Sequence, residues 1–180
     1  MDQYRIAVLV GSLRRESFNR RLAQALTQLA PVDFWLEQAE IGDLPLYNQD
    51  DDGHQAPAVL RLKTQIADAQ GLLFVTPEYN RSVPGLLKNA IDQASRPYGQ
   101  SAWTGKPTAI MGAGGGLGTA RSQYQFRLIA HALQMRMVDR PEIFVANSAQ
   151  KFDAELQLTD PVAKDLVAQL MVALRDLARR

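Results

Sequence analysis

Residues 11–19, GSLRRESFN, concentrate groups that can bind an anion, and we call them the serine–arginine loop. Ser12 and Ser17 supply hydroxyls, Asn19 an amide and Arg14 a guanidinium. A helix beginning here adds free N–H groups and partial positive charge, which together suit a phosphate. Neither a Walker loop nor a GxGxxG turn is present. The structural alternative is that Ser17 or Asn19 caps the helix and the arginines face solvent.

Residues 76–85, TPEYNRSVPG, form a second cluster, the PEYN loop. Tyr79 offers an aromatic plate and Asn80 an amide that both donates and accepts, between prolines at 77 and 84. A planar heterocycle with donors and acceptors on its edge would use such a set. The alternative is an ordinary turn in which proline and glycine punctuate the chain and Tyr79 packs on a neighbour.

Residues 112–118, GAGGGLG, form a glycine loop that has almost no side chains. Such a stretch lets the main chain approach a flat ligand closely and presents N–H groups to it. A flexible loop without a ligand is the alternative, because glycine clusters alone discriminate poorly.

Short apolar runs, each followed by a helical pattern, position these loops. The run at 6–10 is continuous and rich in β-branched residues, as in a strand buried on both faces. Further strands are predicted at 34–36, 72–75, 108–111 and 143–146. Helices are predicted over 19–30, 57–70, 84–94, 118–134 and about 163–177 from the spacing of their apolar residues.

Five β–α alternations predict a three-layer α/β fold, with a five-stranded parallel sheet covered by helices on both faces. Right-handed crossovers and this length favour the strand order 2-1-3-4-5. Ligands bind such sheets at the carboxyl ends of the strands, beside strands one and three. All three loops follow carboxyl ends, so together they could hold the phosphate, edge and face of one ligand. No linker or repeat is visible, so we expect a single domain, residues 1–180.

Composition excludes several classes of protein. The 180 residues carry 20 Lys plus Arg against 19 Asp plus Glu, and this balance argues against a nucleic-acid partner. No run approaches the ~20 apolar residues of a membrane span. Because the first predicted strand begins within a few residues, we expect no signal peptide. Cysteine is absent, which excludes disulfides, thiolate metal sites and cysteine nucleophiles. We expect a cytoplasmic protein with no membrane partner and no metal.

Three stretches, GSLRRESFN, PEYNRSVPGLLKNAIDQASRP and GKPTAIMGAGGGLGTARSQYQFR, resemble the NADPH-dependent FMN reductase family. Within it they most resemble the bacterial quinone and chromate reductases of flavodoxin-like fold. The likeness runs from about residue 5 to residue 142. It implies FMN bound without a covalent link, reduced by NADH or NADPH and reoxidised by quinones, free flavin, azo dyes or chromate.

The resemblance also implies which residues bind FMN. Those expected at the phosphate are Gly11, Ser12, Arg14, Ser17, the Phe18 amide and Asn19. Those expected at the ribityl chain and the ring edge are Pro77, Glu78, Tyr79 and Asn80, with Ser82 close by. Those expected along the pyrimidine end, with their N–H groups toward the ring, are Gly112, Ala113, Gly114 and Gly115. Two positions depart from the family pattern: a serine is common near Gly114, and tryptophan is usual at Gln93.

The favoured function is an FMN-dependent NAD(P)H oxidoreductase. Two substrates using one cleft in turn predict ping-pong, two-electron transfer, and no protein acid or base is required. A flavodoxin-type electron carrier is the main alternative, although carriers usually present a strongly acidic face. A phosphate-loop hydrolase or a non-catalytic flavin-binding module is the other. We expect a homodimer or homotetramer, because the apolar surface of helix 84–95 is broader than one buried stripe requires.

Overall fold

A parallel six-stranded sheet forms the centre of the computed structural model, which describes residues 3–180. Its strands are β1 (Tyr4–Val10), β2 (Phe34–Gln38), β3 (Gly71–Val75), β4 (Pro107–Ala113), β5 (Arg136–Met137) and β6 (Ile143–Val145). The helices are α1 (Phe18–Leu29), α2 (Pro57–Asp68), α3 (Gly85–Ala94), α4 (Ala120–Ala132) and α5 (Pro161–Ala178), with 3₁₀ turns at Gln49–Asp51 and Ser148–Gln150. The order is β2-β1-β3-β4-β5, with β6 also on β4, which confirms the predicted topology.

Both faces of the sheet are buried, as the continuous apolar strands predict. Along β1, Ile6, Val8 and Val10 point into a core formed with α1 and α5. Ala7 and Leu9 point into a second core formed with α2, α3 and α4. Because successive side chains of a strand alternate between faces, one strand serves two cores. The result is the three-layer arrangement expected from the sequence.

Two short strands together occupy the fifth position of the sheet. β5 pairs with the beginning of β4, at Pro107 and Thr108, and β6 pairs with its end. Pro141 lies between them and has no N–H to donate to the ladder. The sequence predicted β6 but not β5, since the two residues of β5 form no apolar run.

Helix α3 uses its apolar width inside the subunit. Leu87, Ala90, Ile91 and Ala94 are buried in the second core. Gln93 is buried as well, and its Nε2 donates to the carbonyl oxygen of a loop proline at 45, over 2.9 Å. Most of the apolar surface of α3 is therefore covered within the subunit. The apolar width of this helix no longer supports pairing with a second subunit through it. The oligomeric state stays a prediction.

Among residues 3–180, none of the helices combines the length and apolarity needed to cross a bilayer. The same range contains no group of three or more His, Asp or Glu side chains arranged to hold a metal ion.

Candidate functional site

The three loops meet at the carboxyl edge of the sheet. The Gly11 N–H donates to the Val75 carbonyl over 2.9 Å, where β3 leads into the PEYN loop. Asn19 of the serine–arginine loop bonds to Ala113, where β4 leads into the glycine loop. A cleft of about 370 Å³ lies between the PEYN and glycine loops, and a second of about 300 Å³ joins Phe18 to the glycine loop. The predicted convergence is confirmed in the structure.

The serine–arginine loop leaves its main-chain donors free. From residue 12 to residue 20, no N–H group has an acceptor within the described part of the chain. A helix always leaves its first four N–H groups without intrahelical partners, but here the open run begins well before α1. Consecutive free N–H groups at a helix N-terminus form an anion-binding site.

Ser17 occupies the N-cap position of α1 without capping it. Its backbone is extended, and its side chain accepts no hydrogen bond from the helix. The residue is only 5% exposed, and neither its hydroxyl nor that of the buried Ser12 has a partner among residues 3–180. The structural alternative, in which Ser17 caps α1, is therefore wrong. Arg14 and Arg15 do face solvent, and within the described range neither forms an ion pair.

Asn19 makes a different contact from the one the sequence indicates. Its Nδ2 donates to the Ala113 carbonyl and its Oδ1 accepts from the Ala113 N–H, both over 2.9 Å. The residue is buried, and only one N–H of its amide remains for any other partner. Asn19 thus joins the serine–arginine loop to the glycine loop and is no helix cap.

A tight turn shapes the PEYN loop. Tyr79 and Ser82 exchange main-chain hydrogen bonds of 3.2 and 3.0 Å. Between them Asn80 and Arg81 have φ values of 51° and 65°, the left-handed pair of a type I′ turn. Gln125 of α4 holds this turn by accepting from the Ser82 hydroxyl and donating to the Arg81 carbonyl. Tyr79 is left half-exposed beside the cleft.

The carboxylate of Glu78 caps α4. It accepts from the N–H groups of Arg121 and Ser122, over 3.0 and 3.3 Å, and pairs with the Arg121 guanidinium at 3.2 Å. Its side chain is therefore directed to α4, while its main-chain N–H has no acceptor among the described residues. Sequence reasoning missed Arg121 and Gln125, because their partners are more than forty residues away along the chain.

The glycine loop is already bonded within the protein at its beginning. The Gly114 N–H donates to Val145, and the Ala113 N–H donates to Asn19. Asn147 and Ser148 donate in turn to the carbonyls of residues 115 and 114. Two N–H groups expected to face a ligand, at 113 and 114, are thus engaged internally. Gly115 forms an antiparallel main-chain bridge with Gly118, so the N–H groups of residues 116 and 117 are those without an acceptor within the described part of the chain.

Two of the glycines are required by packing. A Cβ at Gly112 would lie 2.1 Å from the Thr119 Oγ1 and 2.2 Å from the Thr76 carbonyl oxygen. A Cβ at Gly114 would lie 2.2 Å from the carbonyl oxygen of Gly118. A Cβ at Gly115 would have no atom within 4 Å. A serine fits at 115, and the space in front of it is open to a ligand.

These features fit FMN. A terminal phosphate suits the uncapped start of α1, where Arg14 and the unbonded hydroxyls of Ser12 and Ser17 lie. A flat ring suits the cleft whose walls are largely main chain. Together with the strand order, these features define a flavodoxin-like fold whose β1–β3 switch point is the candidate ligand site.

Comparison with known proteins identifies the family. The family model for NADPH-dependent FMN reductase matches residues 4–150, and the chain belongs to that family. It is 52% identical over 151 residues to a 2-hydroxy-1,4-benzoquinone reductase of Burkholderia sp, covering 83% of this chain and 82% of the relative. It is 42% identical over 181 residues to an NAD(P)H-dependent FMN reductase of Pseudomonas aeruginosa, covering 99% and 97%.

A solved structure agrees with this assignment. The flavoenzyme NAD(P)H:(acceptor) oxidoreductase FerB from Paracoccus denitrificans superimposes with a TM-score of 0.88 at 37% identity, covering 98% of this chain and 97% of that one. The fold, the enzyme class, and FMN and NAD(P)H as cofactor and electron donor are thereby confirmed. The family favours the enzyme over the carrier and the hydrolase.

Proposed function

We propose that the protein is an FMN-dependent NAD(P)H:quinone oxidoreductase that transfers two electrons by a ping-pong mechanism. The observation that carries the proposal is the uncapped N-terminus of α1, with its free N–H groups and idle serine hydroxyls. Relatives named quinone reductases, at 49% and 52% identity, support a quinone as the acceptor. Free flavin, azo dyes and chromate are further acceptors to be assayed in parallel.

The residues proposed to hold the FMN phosphate surround the start of α1. Ser12 and Ser17 would donate their hydroxyls, free N–H groups at the start of α1 would donate as well, and Arg14 would add a charge-assisted bond. The Phe18 amide belongs to this set. Asn19 contributes at most one N–H, because the rest of its amide is bonded to Ala113.

The ring is proposed to lie between the PEYN and glycine loops. The free N–H groups of residues 116 and 117 and of Glu78 provide donors for its edge, and the half-exposed Tyr79 borders its face. FMN held there would supply the redox chemistry, which is two-electron transfer between NAD(P)H and the acceptor. The protein binds and orients the reactants, and the scheme needs no protein acid or base.

The size of the cleft supports alternating substrates. At about 370 Å³ it offers little room for nicotinamide and quinone together beside a bound ring. Initial rates at several fixed quinone concentrations should therefore give parallel double-reciprocal lines against NADPH. Intersecting lines would contradict the ping-pong scheme. Anaerobic bleaching of the bound flavin by NADPH and by NADH, followed by quinone, compares the two donors directly.

We also propose one FMN-binding domain over residues 1–180, acting as a homodimer or homotetramer in the cytoplasm, where NAD(P)H is supplied. The large apolar side chains of Tyr79 and Leu117 are exposed on loops of the site, which supports cover by a second subunit. Light scattering at micromolar concentration tests this proposal, and a fully active monomer would contradict it.

A further inference from the structure

The side chain of Asn19 replaces a missing strand partner at the end of β4. β3 pairs with β4 only as far as Met111, and the Thr76 N–H donates to the Met111 carbonyl before the chain turns away at Pro77. Two residues further along β4, the amide of Asn19 takes both main-chain groups of Ala113. A side-chain amide can do this because it carries a donor and an acceptor, as a peptide group does.

The beginning of the glycine loop is consequently held from two sides. On one side Ala113 pairs with Val145, and residues 145–148 bond to Gly114 and Gly115. On the other side, within the described range, only the side chain of Asn19 forms hydrogen bonds to the main chain of Ala113. The two Asn19 bonds are short and the residue is 3% exposed, so water competes weakly for them.

Asn19 also lies in the first turn of α1, where the free N–H groups are. A phosphate bound there must fix the position of this helix end, and the rigid helix carries the Asn19 amide with it. We propose that Asn19 is a positioning residue that couples phosphate occupancy at α1 to the placement of the glycine loop. Phosphate binding should then raise the affinity of the cleft for the flavin ring. This inference rests on the proposed FMN site.

The coupling can be measured by dividing FMN into two probes, riboflavin and inorganic phosphate. Riboflavin affinity is read from fluorescence quenching on the full-length apoprotein, with no phosphate and with saturating phosphate. We expect phosphate to tighten riboflavin binding by roughly fivefold or more. By linkage, riboflavin should tighten phosphate binding by the same factor, which calorimetry checks.

Asn19→Ala should bring the coupling factor, the ratio of the riboflavin affinities with and without phosphate, close to one. The factor is a ratio within one variant, so a general loss of affinity or stability cancels from it. Asn19→Ser is the milder second variant, and circular dichroism with thermal melting confirms that each one is folded. The matched control is Asn89→Ala. The Asn89 amide, on α3, likewise accepts from one main-chain N–H, that of Tyr47, and donates to one carbonyl, that of Pro45. Both partners lie in the loop after β2. This control should keep the wild-type factor.

The outcomes separate the inference from the function beneath it. An unchanged coupling factor in the folded Asn19 variants overturns the role of Asn19, and so does a wild-type protein that binds FMN with no coupling between the probes. A wild-type protein that binds neither FMN nor riboflavin overturns the proposed function itself. Loss of the factor in Asn19→Ala and its retention in Asn89→Ala support the inference.

Discussion

The serine–arginine loop and the glycine loop meet at the smaller cleft, beside Phe18, but their main-chain groups are satisfied in opposite ways. From residue 12 to residue 20, the N–H groups have no acceptor among the described residues. At the start of the glycine loop, by contrast, the N–H groups of Ala113 and Gly114 are bonded to Asn19 and Val145. The first loop leaves its main-chain donors open, whereas the second has its first donors already bonded within the protein. Mutations should therefore affect ligand affinity in the first loop and the fold itself in the second.

The largest effect is expected in the glycine loop. A side chain at Gly114 collides with the main-chain oxygen of Gly118, so the loop must move. We expect Gly114→Ser to lower the free energy of unfolding by about 3 kcal/mol, and the thermal midpoint by about 6–12 °C. Gly115→Ser, which meets open space, is the control and should melt near the wild type. Equal losses in both variants would show that packing does not distinguish the two positions.

Arg14→Ala tests the opposite behaviour in the serine–arginine loop. Arg14 is exposed and forms no ion pair within the described range, so the apoprotein should melt at the wild-type temperature. FMN binding should weaken ten- to a hundredfold, or by about 1.5–3 kcal/mol, because a charge-assisted bond to phosphate is lost. Arg15→Ala is the matched control from the same loop. Unchanged FMN affinity in Arg14→Ala would remove this residue from the site.

Ser17 and Asp160 both occupy the N-cap position of a helix, but only the Asp160 side chain accepts a hydrogen bond from its helix. Asp160 begins α5, and its Oδ1 accepts from the Ala163 N–H over 2.8 Å. Asp160→Ala should lower the thermal midpoint of the apoprotein by roughly 2–4 °C. Ser17→Ala should leave that midpoint unchanged and weaken FMN binding by about two- to tenfold. A destabilised apoprotein in Ser17→Ala would show that the serine caps α1 after all.

The smallest expected effect is a loss of stability in acid through Asp160, the N-cap of α5. Hydrogen bonds from the Lys151 side chain and then from the Ala163 N–H hold the pKa of Asp160 below its ordinary value of 3.8. A carboxylate whose pKa is lowered by folding stabilises the protein above its ordinary pKa, and loses that contribution as pH falls through the folded value. Melting below about pH 4 should therefore decline more steeply in the wild type than in Asp160→Asn. Parallel curves would contradict this assignment.

The sequence predicted the sheet order and the three converging loops because each rests on local signals. Apolar runs mark the strands, and parallel topology then brings their carboxyl ends together. The contacts that shape the site are nonlocal and leave no such signal. Asn19 reaches a residue 94 positions away, and Glu78 caps a helix 43 positions away. The apolar width of α3 is ambiguous for a related reason: it shows that a helix is buried, but not whether its own subunit or a second one buries it.

Hydrogen exchange of individual main-chain amides tests the contrast between the two loops most directly. In the apoprotein, the amides of residues 12–20 should exchange rapidly, while those of Ala113 and Gly114 should already be protected. Adding FMN should protect the amides at 12–20 strongly and, through the Asn19 bonds, should add a smaller protection to those at 113 and 114. Protection of residues 12–20 before any ligand is added, or its absence after FMN binds, would contradict the assignment of this loop as the phosphate site.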